Sequence, residues 1–407
     1  MIPFSPPKIY QEIIDEVVDT LKSGWITTGP KTKKLEQNLI EYTGAQKVIC
    51  LNSATIGMEL LLRWFGVKEG DEVILPAYTY CATANVVLHC GAKPIMVDIN
   101  DDFNIDINAV KSKITSRTKA IIPVDIGGYP CDYEELNKLI RSEEIHPLFK
   151  AENEEQKKLG RILLMSDAAH SLGAKYQGKS VGSSADATVF SFHAVKNLTT
   201  AEGGAAALNL PSPFDNEEIY KQLNIKSLHG QSKDALAKTT GNWRYDVSEA
   251  GYKANMTDIL ASLGLVELEH YDKETIPRRK AIFDQYIKAF ESEKWAELPT
   301  YKSDDKESSY HLFMLRIKGI EEAQRDAIID EIFKQEVSVN VHFQPLPLLS
   351  LYKGLGYQME DYPNAFHQYQ REINSDYFNR FNSTIDVVTK HQGRLEYDEY
   401  LVEDTLI

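Results

Sequence analysis

Several short segments of this chain put reactive side chains directly after apolar runs. The run ATVFSF is followed by His193, Ala194, Val195 and Lys196. A lysine placed after a strand, among small and apolar neighbours, can act as an amine nucleophile. Asp167-Ala168-Ala169-His170 follows RILLMS. A carboxylate at a buried strand end needs a partner, and a protonated ring nitrogen would be one. Asn52-Ser53-Ala54-Thr55 lies between an apolar run and an amphipathic stretch. Small hydroxyl residues there expose backbone N–H groups at the positive end of a helix, which suits a phosphate. Tyr78-Thr79-Tyr80 follows DEVILPA, where an aromatic can stack on a flat ring.

Each segment also fits a commoner structural role. Ser53, Thr55 and Asp167 fit ordinary helix caps. Lys196 fits a surface turn, and a lone tyrosine fits core packing. Taken jointly they describe one ligand. A phosphate cradle, a stacking ring, an acid for a ring nitrogen and an amine for an aldehyde match pyridoxal 5'-phosphate, PLP.

The elements that must position these residues follow from hydrophobic patterning. QKVICL, DEVILP, KPIMVDI, KAIIPVD and RILLMSD are short Val/Ile/Leu-rich runs, and amphipathic stretches separate them. Continuous rather than alternating apolar runs are what a parallel sheet covered on both faces requires. ATVFSFH and GGAAALN read as two more strands. The order predicts an α/β, doubly wound domain with its ligand at the carboxyl ends of the strands. A long helical stretch over residues 257–292 is interrupted near residues 275–277. Beyond it, YHLFMLRIKG, EEAQRDAIIDEIFKQE and SVNVHFQ read as a smaller βαβ unit. We therefore expect a large domain over residues 1–270, with an N-terminal arm, and a small C-terminal α/β domain over residues 271–407.

Bulk composition narrows the partners. The 407 residues are 43% hydrophobic and carry a formal charge of -15. That balance argues against nucleic acid or an anionic membrane as partner. The four cysteines form no CxxC pair, so neither a disulfide framework nor a metal site is expected. The first residues lack the basic and apolar regions of a signal peptide, and no apolar run is long enough for a membrane span. A cytoplasmic location is expected.

The same segments resemble the DegT/DnrJ/EryC1/StrS family of PLP-dependent aminotransferases. The resemblance runs through SGWITTGPKTKKLEQ, NSATIGMELLL, GDEVILPAYTYCATANVV, GAKPIMVDI, IIPVDIGGYPCD, SDAAHSLGA, SFHAVKNLTTAEGG, GYKANMTDILASLG and VHFQPLP. It covers roughly residues 5 to 350, in order. It implies PLP-dependent transferase fold type I and a homodimer with shared active sites. It also implies transfer of an amino group, with glutamate as expected donor, to a nucleotide-linked keto sugar. The setting implied is bacterial surface-polysaccharide or amino-sugar biosynthesis.

By the same resemblance, Lys196 is the Schiff-base lysine and Asp167 holds the pyridine nitrogen. His170 contacts the ring hydroxyl and Tyr80 stacks on the ring. Ala54, Thr55 and Ser191 match phosphate contacts. Asn255, with Lys253 as the alternative, reaches the phosphate of the neighbouring subunit. Related sugar dehydratases replace the lysine with histidine, and a regulatory, non-catalytic member would be expected to lose Lys196 or Asp167. The chain departs from the family in three places. Ala54 stands where glycine is usual. Pro347 replaces a second histidine. Residues 373–407 do not match the usual ending, which carries an apolar strand and a closing helix.

Overall fold

The computed structural model describes residues 7–231 and 245–375. Its first strands are β1 (Lys47–Leu51), β2 (Glu72–Pro76), β3 (Lys93–Val97), β4 (Thr118–Ile121) and β5 (Leu163–Asp167). Two short strands follow, β6 (Lys175–Tyr176) and β7 (Lys179–Ser180), then β8 (Ala187–Ser191) and β9 (Gly204–Leu208). Seven of these form one sheet in the order β1-β9-β8-β5-β4-β2-β3. Strands β2, β3, β4, β5 and β8 pair in parallel. Strand β9 runs antiparallel to both β1 and β8, so β1 points the same way as the others.

Both faces of this sheet are covered, as the continuous apolar runs require. Along β1, Ile49 and Leu51 enter one core cluster while Val48 and Cys50 enter the other. Along β5, Leu163 and Met165 face one side and Leu164 the other. That two-residue alternation between two buried layers is why neither face reads as polar in the sequence. The helices α1 (Gln11–Ser23), α2 (Pro30–Thr43), α3 (Ala54–Trp64) and α4 (Cys81–His89) come early in the chain. Helices α3 and α4 start directly after β1 and after the β2 loop, at the carboxyl ends of those strands. Because β8 and β9 are antiparallel neighbours, a loop suffices to join them, where a parallel pair needs a crossover helix. That loop holds Lys196.

The long helical stretch is broken where expected. A helix over Asp258–His270 passes through a wider π turn at Tyr271–Thr275 into a helix over Ile276–Phe290. Pro277 lacks the N–H that regular helical bonding needs at this point. Next come β10 (Ala296–Glu297), β11 (Lys306–Glu307), β12 (Phe313–Ile317) and β13 (Glu372–Ser375). Strands β10, β12 and β13 form an antiparallel sheet, and β11 pairs with β6. Ile328 and Ile332, on a helix over Glu322–Lys334, join Ile317 and Ile373 in one cluster.

Two expectations change here. SVNVHFQ is not a strand; among the described residues it makes one isolated bridge, between Asn340 and Asn374. The chain then leaves the sheet toward Pro345, and the Leu346 N–H donates to the Ala77 carbonyl at 2.9 Å. The place beside β12 goes to β13, at the start of the segment that had seemed to lack a strand. Ile373 is buried there. Residues 376–407 lie outside the described residues. Among the described residues, no helix is long and apolar enough to cross a membrane, and no cluster of metal-ligating side chains occurs.

Candidate active site

The carboxyl ends of β1, β5 and β8 and the loop after β2 surround a cavity of about 450 Å³. Ala54, Thr55, Tyr80, Asp167, His170, Ser191 and Lys196 all line it. Seven residues separated by up to 142 positions in the sequence thus share one wall-lined space.

Asp167 is the last residue of β5. Its backbone is locked, with its N–H donating to the Pro123 carbonyl and its own carbonyl accepting from the Asp125 N–H. Its carboxylate accepts from Thr83 Oγ1 at 2.8 Å and from the Ala169 N–H at 3.2 Å. Burial pushes its pKa up, and those two donors with the nearby Lys196 charge pull it back. Both donors are neutral. A buried carboxylate held by neutral donors on a cavity wall fits a cationic ring nitrogen, which would add the charge it lacks.

His170 lies on the next turn and is buried. The Gly127 N–H donates to its Nδ1 at 3.2 Å, which leaves the ring proton on Nε2. Burial first, then the charges of Lys196 and His342, hold its pKa well below the ordinary histidine range. The ring is therefore a neutral donor, suited to a ring hydroxyl. It stacks on Phe343 with centroids 5.7 Å apart. Tyr80 caps α4 at the rim, 59% exposed, with its ring 5.6 Å from Phe343.

Lys196 rides on the β8–β9 loop. Phe192 ties both ends of that loop: its N–H donates to the Gly203 carbonyl, and its carbonyl accepts from the Thr200 N–H, each at 2.9 Å. The Lys196 N–H donates to the His193 carbonyl at 2.9 Å. Asn197, the next residue, donates from Nδ2 to the Ser309 carbonyl and pairs through Oδ1 with His311 Nδ1 at 2.7 Å. The lysine is thereby fixed to the main sheet on one side and to the later chain on the other.

The N-terminus of α3 supplies the anion-binding end. Ser53 caps it, accepting from the Ile56 N–H at 3.2 Å. The capping and phosphate readings of this segment are thus compatible. A Cβ on Gly204 would lie 2.3 Å from the Ala54 nitrogen, so the start of β9 passes against this turn because residue 204 is glycine.

Asn255 is the one predicted residue that does not line the cavity. Its backbone bridges Leu51, its Nδ2 donates to Thr28 Oγ1 at 2.5 Å, and its Oδ1 accepts from Lys253 at 2.6 Å. Both alternatives for the neighbouring-subunit contact therefore sit together, beneath the Asn52 loop. Thr83, His342 and Phe343 were missed. Thr83 falls one turn after Tyr80, but nothing in its spacing links it to Asp167, 84 residues away. His342 and Phe343 lie in the quoted VHFQPLP motif, which carried no role.

The model of the DegT/DnrJ/EryC1/StrS aminotransferase family matches residues 7–389. Spr1654 of Streptococcus pneumoniae, described as a sugar aminotransferase, has been solved in a PMP form. It is 47% identical with a TM-score of 0.91, over 96% of this chain and 98% of that one. Its PLP form is 46% identical with a TM-score of 0.89. The uncharacterized protein MJ1066 of Methanocaldococcus jannaschii is 41% identical over 94% of both chains. The spore coat polysaccharide biosynthesis protein SpsC of Bacillus subtilis is 35% identical over 91% of both.

Proposed function

The chain belongs to the DegT/DnrJ/EryC1/StrS aminotransferase family and is a PLP-dependent aminotransferase; from that premise we propose that it carries an amino group from glutamate to a nucleotide-linked keto sugar. The observation that carries the reading is that Lys196 and Asp167 line one cavity with the N-terminus of α3. A dehydratase would have histidine in the place of Lys196, and a non-catalytic relative would lack one of the pair. The likeness to SpsC supports a place in polysaccharide biosynthesis.

PLP supplies an aldehyde that takes up amines and a ring that accepts electrons. Asp167 would hold the ring nitrogen and be kept charged by pairing with it. The residues at 53–55 and Ser191 bind the phosphate. His170 Nε2 donates to the ring hydroxyl, and Tyr80 covers the ring. Lys196 Nζ would hold the aldehyde until a donor's amine displaced it. The freed Nζ would then serve as the base that takes a proton from the donor's α-carbon and as the acid that hands it back. With the keto sugar in place of the donor, the same nitrogen would move the proton in the opposite sense.

Residues 1–270 are proposed as the cofactor-binding domain and the rest as the smaller domain. The position of Asn255 away from its own chain's cavity supports two copies sharing sites; the expected location is the cytoplasm. Borohydride treatment of the holoenzyme should fix the cofactor on Lys196, read by peptide mass spectrometry. Glutamate plus a panel of nucleotide-linked keto sugars should yield one amino sugar. A Lys196→Ala protein that transaminates at the wild-type rate would overturn the mechanism.

A further inference from the structure

His342 lines the cavity, and its support comes from β13, at the edge of the smaller sheet. Its Nδ1 pairs with Asn374 Oδ1 at 2.9 Å. Asn374 Nδ2 donates to Glu372 Oε1 at 2.6 Å, and the His342 N–H donates to Glu372 Oε2 at 3.2 Å. Glu372 and Asn374 are almost fully buried. When ionised, the Glu372 carboxylate can only accept, so the amide nitrogen of Asn374 then faces it. Its oxygen then faces the imidazole, which must donate from Nδ1. Nε2 consequently carries no proton. His342 is thus the opposite tautomer to His170, on the wall of the same cavity.

We infer that Glu372 and Asn374 are positioning residues that set His342 as a hydrogen-bond acceptor for a hydroxyl of the keto sugar, making His342 a specificity-determining contact. The inference rests on the keto-sugar reading above. A sugar offers hydroxyl donors, whereas the cofactor's oxygens next to His170 need the donor that His170 supplies. Burial pushes the Glu372 carboxyl up to about 8, with Tyr78 also facing it. Asn374, the His342 N–H and the Arg325 and Arg316 guanidiniums pull it back. The relay is therefore complete in alkaline solution, and the measurements belong at about pH 9.

Two measurements test it. The first takes wild-type holoenzyme with isotope-labelled histidine, assigned by comparison with His342→Gln. Nitrogen NMR should place the His342 ring proton on Nδ1; a proton on Nε2 overturns the proposal whatever the variants do. The second takes the half-reactions separately. Asn374→Leu and Glu372→Leu should raise KM about tenfold for a UDP-linked 4-keto-6-deoxyhexose, the scale of one lost hydrogen bond. The rate with glutamate should change less than about twofold, and Glu372→Gln, which keeps the acceptor for Asn374 but turns an NH2 toward the His342 N–H, should recover part of the loss in KM. An unchanged sugar KM, or equal losses in both half-reactions, would refute the positioning role. Wild-type enzyme that converts glutamate but no keto sugar would instead refute the substrate reading, while the proton position on His342 would still decide the relay.

Discussion

Thr83 Oγ1, on the first turn of α4, donates to Asp167 Oδ2 at 2.8 Å. Thr83 also shares a hydrogen bond with Thr79 at 3.0 Å, so its hydroxyl is aimed before any ligand arrives.

Thr83→Val keeps the shape and removes the donor. Burial raises the Asp167 pKa, and Thr83 is foremost among the groups opposing it. Without Thr83 the pKa rises further, and charged Asp167 is lost at a higher pH as acid is added. The dissociation constant for PLP should rise about tenfold, and more at about pH 6 than at about pH 8. A fluorescence titration of apoenzyme at both pH values checks this. An equal loss at both would mean that Thr83 acts on shape alone.

Gly204→Ala tests the close approach of β9 to α3. A methyl group would meet the Ala54 nitrogen at 2.3 Å, the Ser53 carbonyl carbon at 2.5 Å and the Phe190 oxygen at 2.8 Å. All three are backbone atoms, so the first turn of α3 must shift. Stability should fall by about 1–3 kcal/mol in urea unfolding. Affinity for PLP should drop, while affinity for pyridoxal, which lacks the phosphate, should hold. Equal losses for both ligands would place the damage outside the phosphate end.

Glu267→Gln should stabilise the protein, in a pH-dependent way. Glu267 is 5% exposed and lines a second, smaller cavity that also touches Lys196. Burial pushes its carboxyl up to about 7, and the His270, Lys8 and Arg279 charges offset only part of that. Unfolded glutamate titrates near about 4.3, so between these values the folded state holds a proton that the unfolded state has lost. Stability from this group is therefore present at low pH and declines as pH rises toward about 7. Glutamine cannot ionise, so the variant should match wild type near about pH 4 and exceed it by up to about 3 kcal/mol near about pH 8. Urea midpoints at the two pH values settle it, and a variant less stable at the higher pH would reverse the argument.

The seven strands of the main sheet were legible because each is a short apolar run that enters two buried layers. Asp167, Ser191 and Lys196 were legible because each stands where such a run stops. The Thr83–Asp167 bond was not, since a threonine on a helix carries no mark of a partner on another strand. SVNVHFQ misled because Val339 is indeed buried, as is Val337 just before it. Their alternation is that of a strand, yet they pack under the helix over Glu322–Lys334, and among the described residues the stretch pairs through isolated bridges alone. Glu372 carries no mark in the sequence, and Asn374 falls in the segment that reads as unlike the family's usual ending. Burying a carboxylate and an amide requires exact mutual bonding, and polarity alone does not reveal it.

The cavity's walls have two origins. One set stands at strand ends of the large sheet, where a shift of one residue would turn every side chain to the wrong layer. The other, His342 and Phe343, hangs on a segment outside any ladder. Mutational drift can therefore retune the second wall while the first stays still. An engineer seeking a different acceptor for this catalyst has a natural place to cut: residues 340–347, grafted together with the β13 residues that steer them.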